Sequence, residues 1–86
     1  MKRFILAREA SLDLFQISDY LLQENVEVGE RFIAAFDKKR QHLARFPHLG
    51  KPYAHINEEL RGVLLMEDYT IFYQLIDNGI EILHIA

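Results

Sequence analysis

The chain has 86 residues, half of them apolar and 27% charged, a balance that favours a packed globule over a disordered chain. It has no cysteine, which excludes a disulfide framework, a thiolate metal site and a cysteine nucleophile and makes a cytosolic setting the expectation. The formal net charge of −3 argues against general affinity for nucleic acid, where a basic excess over phosphate is usual.

Lys2 to Ala7 has the alternation of a short strand, with Phe4 and Leu6 on one face and Arg3, Ile5 and Ala7 on the other. Arg8 and Glu9 break this apolar run too early for a signal peptide, and no later run reaches the length of a membrane span. From Arg8 to Glu24 the period changes. Ala10, Leu14, Ile17 and Leu21, with Tyr20 beside them, form the stripe of an amphipathic helix that should face a core. A looser stripe of Leu12, Phe15 and Leu22 runs down another flank, interrupted by Asp19. It is expected either to pack on the next helix or to meet a partner.

Asn25 is a natural break. From Val26 to Phe46 a second helix places Phe32, Phe36, Lys39, Leu43 and Phe46 on one line, with Ile33 beside it, and so short a break predicts an antiparallel hairpin. Pro47 and Gly50 end the helix, and Pro47 to Glu58 is expected as a loop. From Glu59 to Met66 the period is two, and Glu67-Asp68 makes a turn. Tyr69 to Ile76 alternates again, Asp77-Asn78-Gly79 closes a hairpin, and Ile80 to Ala86 is the last strand.

These elements predict a single α+β domain over residues 1–86: an N-terminal strand, an antiparallel helical hairpin, then a three-stranded antiparallel meander in two layers. One helix pair covers one face of a sheet. Leu65, Phe72, Ile76 and Leu83 offer apolar surface on one side or the other, so part of the sheet is expected to be covered from outside the chain. Charge is uneven as well. Between Lys38 and His55 lie half of all lysines and arginines (Lys38, Lys39, Arg40, Arg45, Lys51), three of the four histidines and no acid. This run either complements the dipole at a helix C-terminus or forms a docking face for an anionic partner.

Candidates for chemistry are few. Ser11 and Ser18 have no nucleophile-elbow context. Glu58-Glu59 and Glu67-Asp68 fall at turns and strand ends, where acids are ordinarily solvated, and His42, His48 and His55 lack the spacing and carboxylate context of a zinc site. No glycine-rich phosphate loop is present, and neither a metal nor a cofactor is implied.

Ala10, Asp13-Leu14, Ile17 and Tyr20, then Phe32 and Ile33, "LARFPHLGKP" at Leu43 to Pro52, "ELRG" at Glu59 to Gly62, "YTIFYQLI" at Tyr69 to Ile76 and "GIEILHIA" at Gly79 to Ala86 follow one another in a familiar order. In that order and spacing the sequence resembles the toxins of the ParE/RelE superfamily of bacterial toxin–antitoxin modules, and it is most similar to the ParE branch. The resemblance implies a cognate antitoxin that covers apolar surface in a hetero-oligomer, with Leu12, Phe15, Leu22, Leu65 and Phe72 as candidate antitoxin contacts. It implies a target met through Lys38, Lys39, Arg45, Lys51, Arg61 and His84. RelE-like members cut mRNA on the ribosome with basic residues presented from the sheet, whereas ParE-like members bind and poison DNA gyrase. Here the corresponding strand reads Val63-Leu64-Leu65-Met66, and Thr70 follows Tyr69 where nuclease members often have arginine, so the resemblance favours gyrase. Arg61 is then expected either to serve the target or to pair with an acid such as Glu59 or Glu81. Members usually continue past the last strand with a His-Gly or basic segment, and this sequence stops at Ala86. A ribosome-dependent endoribonuclease, or a shortened toxin that only binds its antitoxin, stand as alternatives.

Overall fold

The computed structural model describes residues 3–86; Lys2, which the alternation assigns to the first strand, lies outside the described residues. In chain order the elements are β1 (Arg3–Leu6), α1 (Arg8–Glu24), α2 (Val26–Arg45), β2 (Lys51–Pro52), β3 (Arg61–Leu65), β4 (Tyr69–Ile76) and β5 (Gly79–Ile85). The sheet order is β1-β5-β4-β3-β2, with β1 parallel to β5 and every other pair antiparallel. The α+β expectation holds, with one addition. The expected loop after Pro47 contains β2, a fifth strand that periodicity could not reveal because it is two residues long and includes a proline.

Asn25 alone joins the helices. Its backbone N–H donates to the Leu21 carbonyl, closing α1, while its side-chain oxygen accepts from Val28 N–H at 3.2 Å, opening α2. The hairpin then closes where α2 has no side chain: a Cβ on Gly29 would lie 2.6 Å from the Leu22 side chain. Leu22 is therefore part of the helix–helix seam.

The helices cover one face of the sheet. Phe32, Phe36 and Leu43 of α2 and Ala10 of α1 are buried against Leu65, Ile71, Tyr73, Ile80, Ile82 and Ile85, with Leu14, Ile17 and Leu21 packed around them. At about 25 cal/mol per Å² of apolar surface, such burial is the main force holding the two layers together. Tyr20, expected beside the α1 core stripe, and Phe46, expected on that of α2, are both exposed; Phe46 is the residue that caps α2 and no longer follows its period.

Strand β5 is bulged. Tyr73 faces Ile82 and Phe72 faces His84, which leaves Leu83 as an extra residue. The inward residues consequently run Ile80, Ile82, Ile85 instead of alternating strictly. In the β4–β5 turn Asn78 carries the left-handed φ of 64°, whereas Gly79 serves a different need: a Cβ there would lie 1.9 Å from the Arg3 carbonyl oxygen, so glycine is what lets β1 dock.

Candidate functional site

The cations of α2 meet the far edge of the sheet. One groove of about 470 Å³ is lined by Lys39, Leu49, Lys51, Tyr53, the Gly62–Leu64 stretch of β3 and Thr70. A second, of about 400 Å³, is lined by Arg31, Ala35, Lys38, Lys39, His42, Leu65 and Met66. Lys39 lines both, so the two adjoin as one trough that wraps the β3 edge: Lys51, Tyr53, Gly62, Leu64 and Thr70 line it on the face away from the helices, and Lys38, His42 and Leu65 on the helix side. No carboxylate lines either part. Arg31 reaches Glu27 at 3.5 Å on its own helix, but Lys38, Lys39 and Lys51 have no ion-pair partner among the described residues. A third depression, lined by His42, Arg45, Phe46, Pro47, His48 and Leu49, adjoins the trough at His42 and Leu49.

The backbone of this edge is open. Strand β2 pairs only Lys51 with Gly62 and Pro52 with Arg61, and Tyr53 N–H then donates to the Leu60 carbonyl at 2.8 Å. Leu60 thus faces the β2 side, and the alternation of a strand puts the N–H and C=O of Gly62 and Leu64 on that side too. Gly62 has Lys51 opposite. Leu64 has Thr70 across from it on the β4 side and no strand on the other, and its side chain is 62% exposed.

What shapes the near end of the trough is a buried hub. Tyr73, fully buried, donates its hydroxyl to the Pro47 carbonyl at 2.7 Å and accepts from Gly50 N–H at 2.8 Å. Arg61 donates to the carbonyls of Gly50 at 2.8 Å and His48 at 3.4 Å. Two side chains from neighbouring strands therefore fix the 47–50 segment and with it β2. Burial pushes the Tyr73 phenol above its ordinary 10.0, against the lowering influence of the Gly50 N–H and the Arg61 charge. The acid partners expected for Arg61 are replaced by backbone carbonyls. Glu81 instead accepts from Gln74 at 2.9 Å.

At the opposite edge the Asp13 carboxylate of α1 accepts from Ile85 N–H at 3.1 Å and meets His84 Nδ1 at 2.9 Å. Strand β1 ends at the pair Leu6–Ile82, and Ala7 N–H donates to the Ile82 carbonyl, so Asp13 satisfies backbone that β1 does not reach. Asp13 stood in the sequence as part of the Asp13-Leu14 pair that carries the resemblance, but its role depends on the bulge at Leu83.

The residues singled out from the sequence separate into groups. Lys38, Lys39 and Lys51 are brought together along the trough, and Arg45 sits next door with its guanidinium 5.7 Å from the Phe46 ring. Arg61 and His84 stand apart from them, each engaged as described. Leu12 and Phe15 are 51% and 67% exposed on α1 and form a free apolar ridge. Leu22 is half-buried on Gly29. Leu65, expected on an interaction surface, is completely buried, since the phase of β3 turns it toward the helices and turns Leu64 out. Phe72 lies on the other face of the sheet, half-covered by Tyr53, whose ring stands edge-on to it at 5.3 Å. Next to it Ile56, Leu60, Phe72, Leu83, His84 and Ala86 line a shallow apolar hollow of about 310 Å³. The five candidate antitoxin contacts thus do not form one patch. The missed contributors are Tyr73, Asp13 and Leu64.

No helix among the described residues is long and apolar enough to cross a membrane. Comparison with curated protein sequences gives no match. Among solved structures, a chain described as "Chromosomal ParDE TA system from P. aeruginosa" superposes with a TM-score of 0.79 at 18% identity, covering 99% of this chain and 94% of that one, a likeness of fold. The family model described as "ParE toxin of type II toxin-antitoxin system, parDE" matches residues 4–86. The chain therefore belongs to the ParE toxin family of type II toxin–antitoxin systems.

Proposed function

We propose that this protein is held inactive by a cognate antitoxin in a hetero-oligomer and, once released, acts on DNA gyrase in the cytosol by binding it. The observation that carries the reading is the disposition of the cations. General acid–base chemistry on a phosphodiester needs charged and titratable groups converging on one reacting point. Arg61 engages the loop carbonyls and His84 engages Asp13, while Lys38, Lys39 and Lys51 spread along the rim of a trough and Arg45 lies beyond it. A spread rim suits docking on a protein surface.

The exposed ridge of Leu12 and Phe15 is the best-formed candidate for antitoxin contact, with the apolar hollow at Phe72 as a second, separate one. Leu22 and Leu65 would act there only by shaping the core beneath. Purified protein, freed of antitoxin, is expected to inhibit supercoiling by purified gyrase, and charge reversal at Lys39 and Lys51 to relieve the inhibition. Unimpaired supercoiling at saturating protein would count heavily against gyrase. Cleavage of mRNA in a translating extract, lost when Lys38, Lys39, Arg45 and Lys51 are replaced, would put the ribosome in its place.

A further inference from the structure

We propose that the Asn78–Gly79 pair is a site of covalent self-modification, at which a chain whose β1, β5 and β4 have parted is converted to an isoaspartyl form that cannot close again. The proposal rests on the fold alone and not on the identity of the target.

The chemistry needs only water. An asparagine followed by glycine is the pair most open to ring closure, because glycine has no side chain to shield its backbone nitrogen. That nitrogen gives up its proton and bonds to Cγ of Asn78, and the side-chain amide leaves as ammonia. Water then opens the succinimide. Cleavage between the nitrogen and Cγ gives ordinary aspartate at 78, and cleavage between the nitrogen and the backbone carbonyl carbon gives isoaspartate, in which the main chain runs through Cβ and Cγ.

The closed sheet restrains this reaction. The Asn78 carbonyl accepts from Arg3 N–H at 3.0 Å and the Ile82 carbonyl from Ala7 N–H, so these positions of β5 face β1. By the alternation of a strand, the N–H of Gly79 faces the other way, toward its partner Ile76 on β4. Gly79 is buried, whereas Asn78 beside it is exposed. The attacking nitrogen is thus held between two strands while the residue it would attack stands in water, and ring closure requires β5 to release its neighbours.

The product falls where the fold has no slack. The two-residue turn sets the register of β5 on β4, and Asn78 supplies its left-handed φ of 64°. A main chain one carbon longer displaces Gly79, whose backbone passes so near β1 that a Cβ would lie 1.9 Å from the Arg3 carbonyl oxygen. Ile80, Ile82 and Ile85 follow on the same strand and belong to the core. Isoaspartate at 78 therefore uncouples β5 from both neighbours, and the converted chain is lost to the folded state.

The test uses the full chain in mildly alkaline buffer, folded and in guanidinium, with isoaspartate located by peptide mass mapping and by an isoaspartyl methyltransferase. Asn25 and Asn57, followed by Val26 and Glu58, are internal controls. Isoaspartate at 78 should accumulate at least about tenfold faster in the denatured chain. Phe4→Ala, which loosens the packing of β1 without touching the turn, should speed the folded-state reaction about tenfold. Should that variant not fold, the wild-type rate should still rise with sub-denaturing guanidinium in step with the open fraction. The isolated isoaspartyl chain, freed of denaturant, should not regain the wild-type melting transition. Asn78→Asp, with the same charge and a normal main chain, should regain it. Equal rates in folded and denatured chains, no isoaspartate in either, or an isoaspartyl chain that refolds like the wild type would overturn the proposal. Loss of folding in Asn78→Asp would overturn it as well, because charge and not chain length would then be the cause.

Discussion

The two edges of this sheet solve the same problem differently. Along β5 the chain closes its own edge: β1 docks in parallel over Gly79, and where β1 ends the Asp13 carboxylate accepts the next free N–H, from Ile85. Along β3 the closure is partial, since β2 covers two residues and leaves Leu64 open beneath Lys39 and Lys51. Open edges invite self-pairing, and lysines beside an edge are a common protection against it. The lesson is that two devices serve one end. Lysines beside the β3 edge guard against pairing with a second copy of the chain, as β1 and Asp13 do along β5 by direct pairing.

The largest expected effect comes from breaking the closed edge. Gly79→Ala would put a Cβ 1.9 Å from the Arg3 carbonyl, and displacing β1 is expected to lower stability by about 2–3 kcal/mol in a denaturant titration. A loss too small to measure would mean that β1 contributes little to closing that edge.

Next in size is Tyr73→Phe, which removes a donor to Pro47 and leaves the buried Gly50 N–H without an acceptor; about 2 kcal/mol is expected. It also carries a pH signature. Because burial raises the Tyr73 phenol above 10.0 in the fold, the unfolded chain ionises first. This contribution is fully present below pH 10 and is lost as pH rises through the folded value. Alkaline melts of the Phe variant should lack that loss.

Arg61→Ala is expected to cost about 1 kcal/mol or more by freeing the Gly50 carbonyl and loosening β2. Wild-type stability combined with lost toxicity would instead make Arg61 a target contact. Asp13→Ala should cost about 1 kcal/mol, through Ile85 N–H, and speed exchange of that amide, with Asp13→Asn restoring part of the protection. Smallest for the fold is Leu64→Lys, at an exposed site, expected to change stability by less than about 0.5 kcal/mol. A larger loss would mean that Leu64 is packed against the fold and not free on the edge.

How much of this was legible in the sequence depended on whether local chemistry or tertiary packing decides each element. The bounds of α1 and β4 follow from periodicity and from Asn25, a residue able to close one helix and open the next. Strand β2 has no period to read. It exists because Tyr73 and Arg61, distant in sequence, hold the segment before it. Leu64 and Leu65 are identical side chains on a strand apolar on both faces, so nothing local fixes its phase, and a one-residue slip exchanges surface for core. The bulge that aims Ile85 N–H at Asp13 leaves only a faint trace, the spacing of Ile80, Ile82 and Ile85. The cationic run from Lys38 to Lys51 was plain, but its meaning needed the fold, which lays α2 beside the uncovered part of β3.

The most direct test of the account is pulse labelling of DNA and protein synthesis after induction of this chain without antitoxin in a bacterial host, beside a Lys39→Glu/Lys51→Glu variant. The account predicts that DNA synthesis falls first with the wild type and that the variant spares it. Protein synthesis falling first, or equal arrest by the variant, would contradict it.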